Sequence, residues 1–142
     1  MAKLSQDELE RFMDQAHVAH LVTLRPNGKP HVAPVWYVWD GSRAVAMAGR
    51  DAIKVKNIRR NPAVSLSIAA AQRPYQYVII EGQATVTKDD LDRQVRRICL
   101  RYDGPERGEA FARELLAEGR MVLLGIEVDR MISWKEDVKE DN

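Results

Sequence analysis

Short apolar runs separated by turn signals restrict the fold of this chain more than any other feature. Pro26-Asn27-Gly28-Lys29 contains the Asn-Gly pair that is typical of a tight hairpin, and Asp40-Gly41 marks a second turn. The runs beside these turns, 17–25, 31–39 and 43–48, are rich in the β-branched and aromatic residues that favour strands. They predict an antiparallel meander.

Later runs of the same kind raise the expected number of strands to six or seven. These runs are 63–70, 75–87, 121–128 and 131–134. Antiparallel strands in that number usually close into a barrel, because closure removes exposed edges. We therefore expect a mainly β fold in which the helices lie outside one barrel.

Helix signals occur at four places between the strands. Ser5 and Glu8 form a capping-box pair, with Leu4 and Leu9 placed as a hydrophobic staple. The other predicted signals are Asp51 capping a helix that ends near Pro62, Thr87 and Asp90 capping a third helix, and Pro105 starting a further helix that ends near Gly119.

Length and composition favour one domain spanning 1–142. Of the 142 residues, 45% are hydrophobic and 30% charged, and no run reaches the roughly 18 apolar residues that a membrane span needs. The net charge of +1 argues against a general nucleic-acid binder. A single cysteine, Cys99, excludes an intrachain disulfide, and the polar N-terminus lacks a secretory signal, so we expect a cytoplasmic protein.

The segment 49–62 contains five basic residues on one short predicted helix and its entrance: Arg50, Lys54, Lys56, Arg59 and Arg60. Lys54 and Asn57 share a helix face near the N-terminal end, where backbone N–H groups and the helix dipole favour an anion. This pattern predicts a phosphate-binding site. The alternative is a basic helix that is simply solvated and binds no ligand.

The segment 34–39, Pro-Val-Trp-Tyr-Val-Trp, is apolar on both faces of a predicted strand. The barrel core would cover one face, and a planar ring system or a partner subunit would cover the other. The alternative is ordinary core with one surface aromatic residue. Pro34 favours an edge or bulge position, where a ligand can approach the backbone.

No motif in the sequence assigns a catalytic side chain or a metal site. His17, His20 and His31 lack the cysteine pair or carboxylate cluster that a zinc site requires. The nucleophile elbow, the Walker loop and the Rossmann glycine fingerprint are all missing. A bound cofactor could therefore carry the reactive chemistry, with the protein holding and orienting it.

Several motifs together resemble one known family. They are Leu21-Val22-Thr23-Leu24, Asn27-Gly28-Lys29-Pro30, Pro34-Val35-Trp36-Tyr37, the run from Lys54 to Pro62, Glu81-Gly82-Gln83-Ala84, and the closing run from Ile126 to Trp134. The chain resembles the pyridoxamine 5′-phosphate oxidase-like family of FMN-binding split β-barrels, and within it the branch that uses the deazaflavin coenzyme F420. The resemblance covers most of the domain, from about 19 to 86.

The resemblance implies a homodimer with two cofactor sites between the subunits. It implies that Lys54, Asn57 and Arg50 hold the phosphate or charged tail of the cofactor. Pro34, Trp36, Met47 and Ala48 would line its ring. The chain departs from true pyridoxamine phosphate oxidases after Trp134, because it lacks their vitamer-binding arginine and histidine motif. Oxidation of vitamin B6 is therefore not expected.

The leading hypothesis is an oxidoreductase that transfers a hydride from reduced F420 to an unsaturated small molecule. Lys56, Arg59 and Arg60 favour this longer anionic cofactor over FMN. The alternatives are an FMN-dependent oxidoreductase on the same fold and a non-enzymatic flavin or haem carrier. A haem carrier would need an axial ligand such as His20 or His31.

Overall fold

The computed structural model describes residues 2–137, which form seven strands and three helices. The helices are α1 (Gln6–Met13), α2 (Ile53–Arg60) and α3 (Leu91–Glu118). The strands are β1 (Ala19–Leu24), β2 (Pro30–Val35), β3 (Tyr37–Trp39), β4 (Arg43–Gly49), β5 (Ala63–Ala69), β6 (Gln76–Thr87) and β7 (Met121–Lys135).

All seven strands belong to one antiparallel sheet, in the order β2-β1-β5-β6-β7-β4-β3. Its edges, β2 and β3, are separated in the chain by Trp36 alone. Two edges joined by one residue must lie close together, so the sheet curls on itself. The prediction of a mainly β split barrel with six or seven antiparallel strands is confirmed.

The concave side of the sheet encloses the main core. Leu21, Tyr37, Leu66, Ile80 and Leu124, from five different strands, are fully buried there. The α1 helix adds Phe12 and Met13 to this core, and α2 adds Val55 and Ile58. The two short helices therefore bury one face each against the barrel.

A second core lies between the convex side of the sheet and α3. Val38, Val45 and Leu123 of the sheet pack there against Val95 and Ile98 of α3. The alternation predicted for 34–39 is confirmed, because Val35, Tyr37 and Trp39 face the main core and Trp36 and Val38 face α3. The second face of this segment is thus covered by a helix of the same chain.

The α1 helix begins as predicted. Ser5 Oγ accepts a hydrogen bond from the Glu8 N–H, and the Glu8 carboxylate accepts one from the Ser5 N–H, which completes the capping box. Leu4 and Leu9 both pack on the main core. The helix ends at Met13, and Ala16 lies beyond it and is exposed.

Three boundary predictions are wrong in detail. The segment 31–39 forms two strands, because the chain changes its pairing partner from β1 to β4 at Trp36. The runs 121–128 and 131–134 form one strand, since a bulge opposite Glu81 and Gly82 lets β7 continue past Asp129. The N-cap of α2 is Ala52, so Asp51 does not cap that helix.

The third helical region matches the prediction of two successive helices. α3 is interrupted at Gly104, whose φ of 82° and ψ of 178° are not helical, and Pro105 begins the second half. Gly119 ends α3 in the left-handed conformation. Asp90 is the N-cap residue but makes no side-chain capping bond. Within residues 2–137, no helix is both long and apolar enough to cross a bilayer.

Candidate functional site

The junction between β4 and α2 brings several predicted site residues to one end of the sheet. β4 ends at Gly49, and the N–H of Arg50 donates to the carbonyl oxygen of Arg120, 2.8 Å away. This bond links the residue that follows β4 to the residue that precedes β7. Arg120 therefore adds a basic residue to this end of the sheet that the sequence alone did not assign to the site.

The α2 helix has a positive charge that its own sequence does not balance. No acidic residue occurs between Asp51 and Glu81. Among residues 2–137, Lys54, Lys56 and Arg59 have no carboxylate partner. Ala52 at the N-cap offers no side-chain acceptor to the first N–H groups of the helix. Free donors and unpaired cations together make this end of α2 attractive to an anion.

Lys54 is the least exposed cation of this group. Its side chain is half-buried on α2, and burial lowers the pKa of its ammonium group from the ordinary value. Burying a charged ammonium without a partner is costly, and a bound anion would offset that cost. Lys54 is thus the residue of α2 best placed to gain from an anionic ligand.

Asn57 lies in a different environment. Its side chain is 2% exposed, its Nδ2 donates to Thr23 Oγ1 at 3.0 Å, and its Oδ1 accepts from Arg60 Nη2 at 2.8 Å. Arg60 also donates to the Leu24 carbonyl oxygen at 2.8 Å. This placement does not suit the predicted role of a free amide donor to phosphate. Asn57 and Arg60 instead fix α2 on β1.

The predicted ring-lining residues divide between the two faces of the sheet. Trp36 and Met47 pack beside the second core on the α3 side, and Pro34 is exposed on edge strand β2. Ala48 is buried in the main core, so only its backbone is available at the outer face. The structure thus separates Ala48 from the other three. The edge position predicted for Pro34 is confirmed.

Trp36 is held by aromatic residues of α3. Its ring stacks on Tyr102 with 4.7 Å between centroids and 4° between planes, and Phe111 meets it edge-on at 6.0 Å. The Tyr102 hydroxyl donates to the His17 carbonyl oxygen at 2.6 Å and accepts from the Tyr37 N–H at 3.3 Å. Tyr102 therefore fixes the chain at the point where the sheet edges meet. No sequence signal indicated this contact.

The remaining reactive side chains have other surroundings. Cys99 of α3 is buried in the second core, where burial raises the pKa of its thiol to about 11, so it is not activated as a nucleophile. His20 is exposed on β1. His31 faces the barrel side of β2, and its buried Nδ1 lacks a partner within residues 2–137. Over the same residues, no group of three or more His, Cys, Asp or Glu side chains is placed to hold a metal ion.

Solved structures share this architecture over most of their length. A conserved hypothetical protein from Mycobacterium tuberculosis is 26% identical, with a TM-score of 0.80 over 93% of this chain and 85% of that chain. An F420 reductase is 25% identical, with a TM-score of 0.71 over 87% and 94%. A haem storage protein from Vibrio cholerae, 15% identical, shares the fold with a TM-score of 0.71 over 91% and 92%.

Sequence comparison gives a more direct assignment. None of the curated proteins compared with this chain matches it significantly. The family profile described as pyridoxamine 5′-phosphate oxidase matches residues 5–135, which is nearly the whole of the chain. This match, together with the seven-stranded split barrel, places the protein: it belongs to the pyridoxamine 5′-phosphate oxidase family.

Proposed function

We propose that this protein is a cytoplasmic, homodimeric oxidoreductase that binds coenzyme F420 and uses it to reduce an unsaturated small molecule. The observation that carries the proposal is the positive charge of α2, because Asp51, the one carboxylate at the entrance of this helix, pairs with Arg50 and not with a cation of the helix. The 25% identity to an F420 reductase over 94% of that chain supports the choice of cofactor.

In this proposal, different cationic residues bind different anionic groups of the cofactor. Lys54, Arg50 and the first N–H groups of α2 bind the phosphate. Lys56, Arg59 and Arg120, which have no carboxylate partner among residues 2–137, attract the glutamate tail. FMN has one phosphate and no tail, so it would leave these outer cations unused. Asn57 acts indirectly, by fixing α2 and so positioning Lys54.

The apolar residues of the site would hold the ring. Pro34, Trp36 and Met47 offer apolar surface, and the backbone at Ala48 offers a flat edge. When bound, reduced F420 supplies the hydride, as cofactors commonly carry the chemistry that side chains lack. The chain itself orients the ring against Trp36, which Tyr102 and Phe111 hold in place. These residues also keep water from one side of the site.

The dimer is supported by an uncovered face of the sheet. Helix α3 packs on β3, β4 and β7, which leaves the outer side of β1 and β2 without a covering element among residues 2–137. Val22, Leu24, Val32 and Pro34 lie on that side, and Val32 is 57% exposed. A second copy of the chain would bury this surface beside Pro34. The cofactor ring would then lie between the subunits.

Titration of the purified protein with F420 and with FMN, followed by fluorescence, tests the choice of cofactor. We expect tighter binding of F420 and a larger loss of its affinity as salt rises. The reason is that the exposed cations act over a screening length of about 10 Å at 0.1 M ionic strength. Equal or tighter binding of FMN would instead indicate an FMN-dependent enzyme on this fold.

The absorbance spectrum of the protein as purified separates the remaining alternatives. Flavin, deazaflavin and haem have distinct bands, so a haem spectrum would contradict the proposal. An F420 complex that reduces none of a panel of conjugated small molecules would favour a carrier over an enzyme. Such a result would leave the cofactor assignment intact and remove the proposed reaction.

A further inference from the structure

Arg101 joins α3 to the end of α1. It lies in the first half of α3 and is partly buried, and its guanidinium binds backbone carbonyl groups. Nη2 donates to the carbonyl oxygens of Met13 at 2.8 Å and Gln15 at 2.5 Å, and Nη1 donates to that of Asp14 at 3.2 Å. The last carbonyl groups of a helix lack helical N–H partners, and the helix dipole favours a cation beside them. Arg101 therefore holds the segment that leads from α1 to β1.

Aromatic rings, and not carboxylates, surround this cation. Arg101 has no ion pair among residues 2–137, and its Nε is buried without a hydrogen-bond partner in that part of the chain. Its Cζ lies 4.9 Å from the centre of the Tyr37 ring and 5.7 Å from that of Tyr102. The faces of such rings attract a guanidinium. Tyr37 is fully buried at the start of β3, so Arg101 lies where α1, β3 and α3 meet.

The orientation of Trp36 depends on the same junction. The Tyr102 ring stacks on Trp36 with 4.7 Å between centroids, and the Tyr102 hydroxyl donates to the His17 carbonyl oxygen at 2.6 Å. Arg101 lies over the ring of Tyr102, and it also binds the backbone of 13–15, two residues before His17. Both partners of the bond between Tyr102 and His17 are thus in place because Arg101 contacts the structure on either side of it.

We propose that Arg101 is a positioning residue for the cofactor ring, acting through Tyr102 on the indole of Trp36. The inference rests on the proposed function, in which the ring packs against Trp36. Arg101 itself does not touch the cofactor, because its Nη groups are bonded to backbone carbonyl oxygens. Lysine would be a poor replacement, since one ammonium group lacks both the planar fork and the flat face of a guanidinium.

Titration with two ligands separates the ring from the phosphate. The first is F420, and the second is its deazaflavin with the ribityl chain alone, which lacks the phosphate and the glutamate tail. Arg101→Met should weaken the binding of both ligands by the same factor, about tenfold, because a displaced Trp36 affects the ring that they share. Lys54→Ala should weaken F420 binding only. Arg101→Met that weakens F420 alone, or neither ligand, would overturn the proposal.

Arg97→Met is the matched control. Arg97 is another partly buried arginine of α3, and its hydrogen bond, from Nη1 to Gln94 Oε1 at 2.9 Å, stays within that helix. Its replacement should leave both affinities unchanged. Losses equal to those of Arg101→Met would show that removing any arginine from α3 has the same effect, and no positioning role would be left for Arg101.

A double-mutant cycle with Trp36→Ala shows whether Arg101 acts through Trp36. Arg101→Met should weaken binding of the ribityl deazaflavin in the wild-type background and have no further effect in the Trp36→Ala background. Equal effects in the two backgrounds would contradict the proposal, because the contribution of Arg101 would then not pass through Trp36. Arg101→Lys keeps the charge and provides the same cycle if Arg101→Met fails to fold.

The wild-type titration separates the role of Arg101 from the choice of cofactor. If the wild-type protein binds neither F420 nor the ribityl deazaflavin, the cofactor assignment fails, and the positioning role fails with it. If the wild type binds both ligands and Arg101→Met binds them equally well, the cofactor assignment stands and only the role of Arg101 is lost.

Discussion

Lys54 and Asn57 are three residues apart on α2, but their side chains differ in whether they are available to bind a ligand. Both amide ends of Asn57 have protein partners, and its surroundings are closed to solvent. Lys54 keeps an ammonium group that is half-buried and without a carboxylate partner among residues 2–137. A ligand at this helix would therefore exchange solvent contacts for contacts with Lys54, while leaving the bonds of Asn57 intact.

Replacing Lys54 with alanine should weaken cofactor binding without harming the empty protein. The variant loses a charge-assisted hydrogen bond, which contributes about 1.5–3 kcal/mol, or roughly a tenfold to hundredfold loss of affinity. The melting temperature of the apo protein should barely change, because alanine is a better helix former and Lys54 has no ion pair to lose within residues 2–137. Fluorescence titration and thermal melting measure the two effects.

Lys56→Ala is the matched control on the same helix. Lys56 is exposed and lies about 200° around the helix from Lys54, so its replacement should affect affinity much less. If the two variants bind the cofactor equally, the charge of α2 acts only as a diffuse surface charge. The specific role of Lys54 would then be lost.

At the scale of elements, the break in α3 is set by backbone geometry. Gly104 and Gly119 both have positive φ, and at neither position would an added methyl group meet another atom within 4 Å. They differ in ψ, which is 178° at Gly104 and 23° at Gly119. The first combination is essentially restricted to glycine, whereas the second is the left-handed region that other residues sometimes adopt.

Gly104→Ala should therefore destabilise the protein more than Gly119→Ala. We expect a loss of about 1–3 kcal/mol at Gly104 and about 1 kcal/mol at Gly119, from backbone strain alone. Urea denaturation of both variants measures the difference. Equal losses would mean that the two halves of α3 can adjust their connection, and that Gly104 does not fix the break.

An ion pair joins α1 to β7. Lys135 Nζ lies 2.7 Å from Glu8 Oε2, and this bond, with that from the Ser5 N–H, lowers the pKa of Glu8 to about 2. A carboxyl whose pKa is lowered on folding stabilises the fold above its ordinary pKa of 4.5. That stabilisation is lost as the pH falls from 4.5 towards 2.

Glu8→Gln tests this pH dependence. Glutamine can still complete the capping box, so the variant removes the charge and keeps the cap. The variant should melt at a lower temperature than the wild type at pH 7, and the difference should shrink as the pH approaches 2. Glu10→Gln, an exposed change on the same helix, should show a smaller difference. A difference in melting temperature between Glu8→Gln and the wild type that does not depend on pH would contradict this account.

Local signals predicted most of the elements, and tertiary contacts explain the errors. Ser5 with Glu8, and Gly119, act over one helical turn, so their roles could be predicted from the sequence. The alternation around Trp36 was predicted, but its covering helix lies more than 60 residues away, and no local pattern identifies it. For the candidate site, spacing selected Lys54 and Asn57 alike. A local pattern cannot show that Asn57 is bonded to Thr23 and that Lys54 is not paired.

At the scale of the whole molecule, the proposed dimer depends on the outer side of β1 and β2. We expect the protein to sediment as a dimer at micromolar concentration. Val32→Glu should shift it to monomer, because an unpaired carboxylate would be buried in the interface. The association of the dimer should weaken by about 2 kcal/mol or more, which raises its dissociation constant more than tenfold.

Leu100→Glu is the control for that change. Leu100 is a similarly apolar, 39% exposed residue, but it lies on α3, away from β1 and β2. It should leave the dimer intact. A wild-type protein that sediments as a monomer, or a Val32→Glu variant that remains dimeric, would remove this face as the interface and with it the shared cofactor site.

The single-residue link at Trp36 has a consequence for motion. Within residues 2–137, β2 pairs only with β1, and β3 pairs only with β4. The two edges therefore meet at a seam that has no ladder of hydrogen bonds, and the chain crosses this seam at Trp36. Widening this seam would break no ladder, so side chains alone limit movement there. The stack of Trp36 on Tyr102, and the bonds of the Tyr102 hydroxyl to the His17 carbonyl oxygen and the Tyr37 N–H, are the contacts that keep the barrel closed at this point.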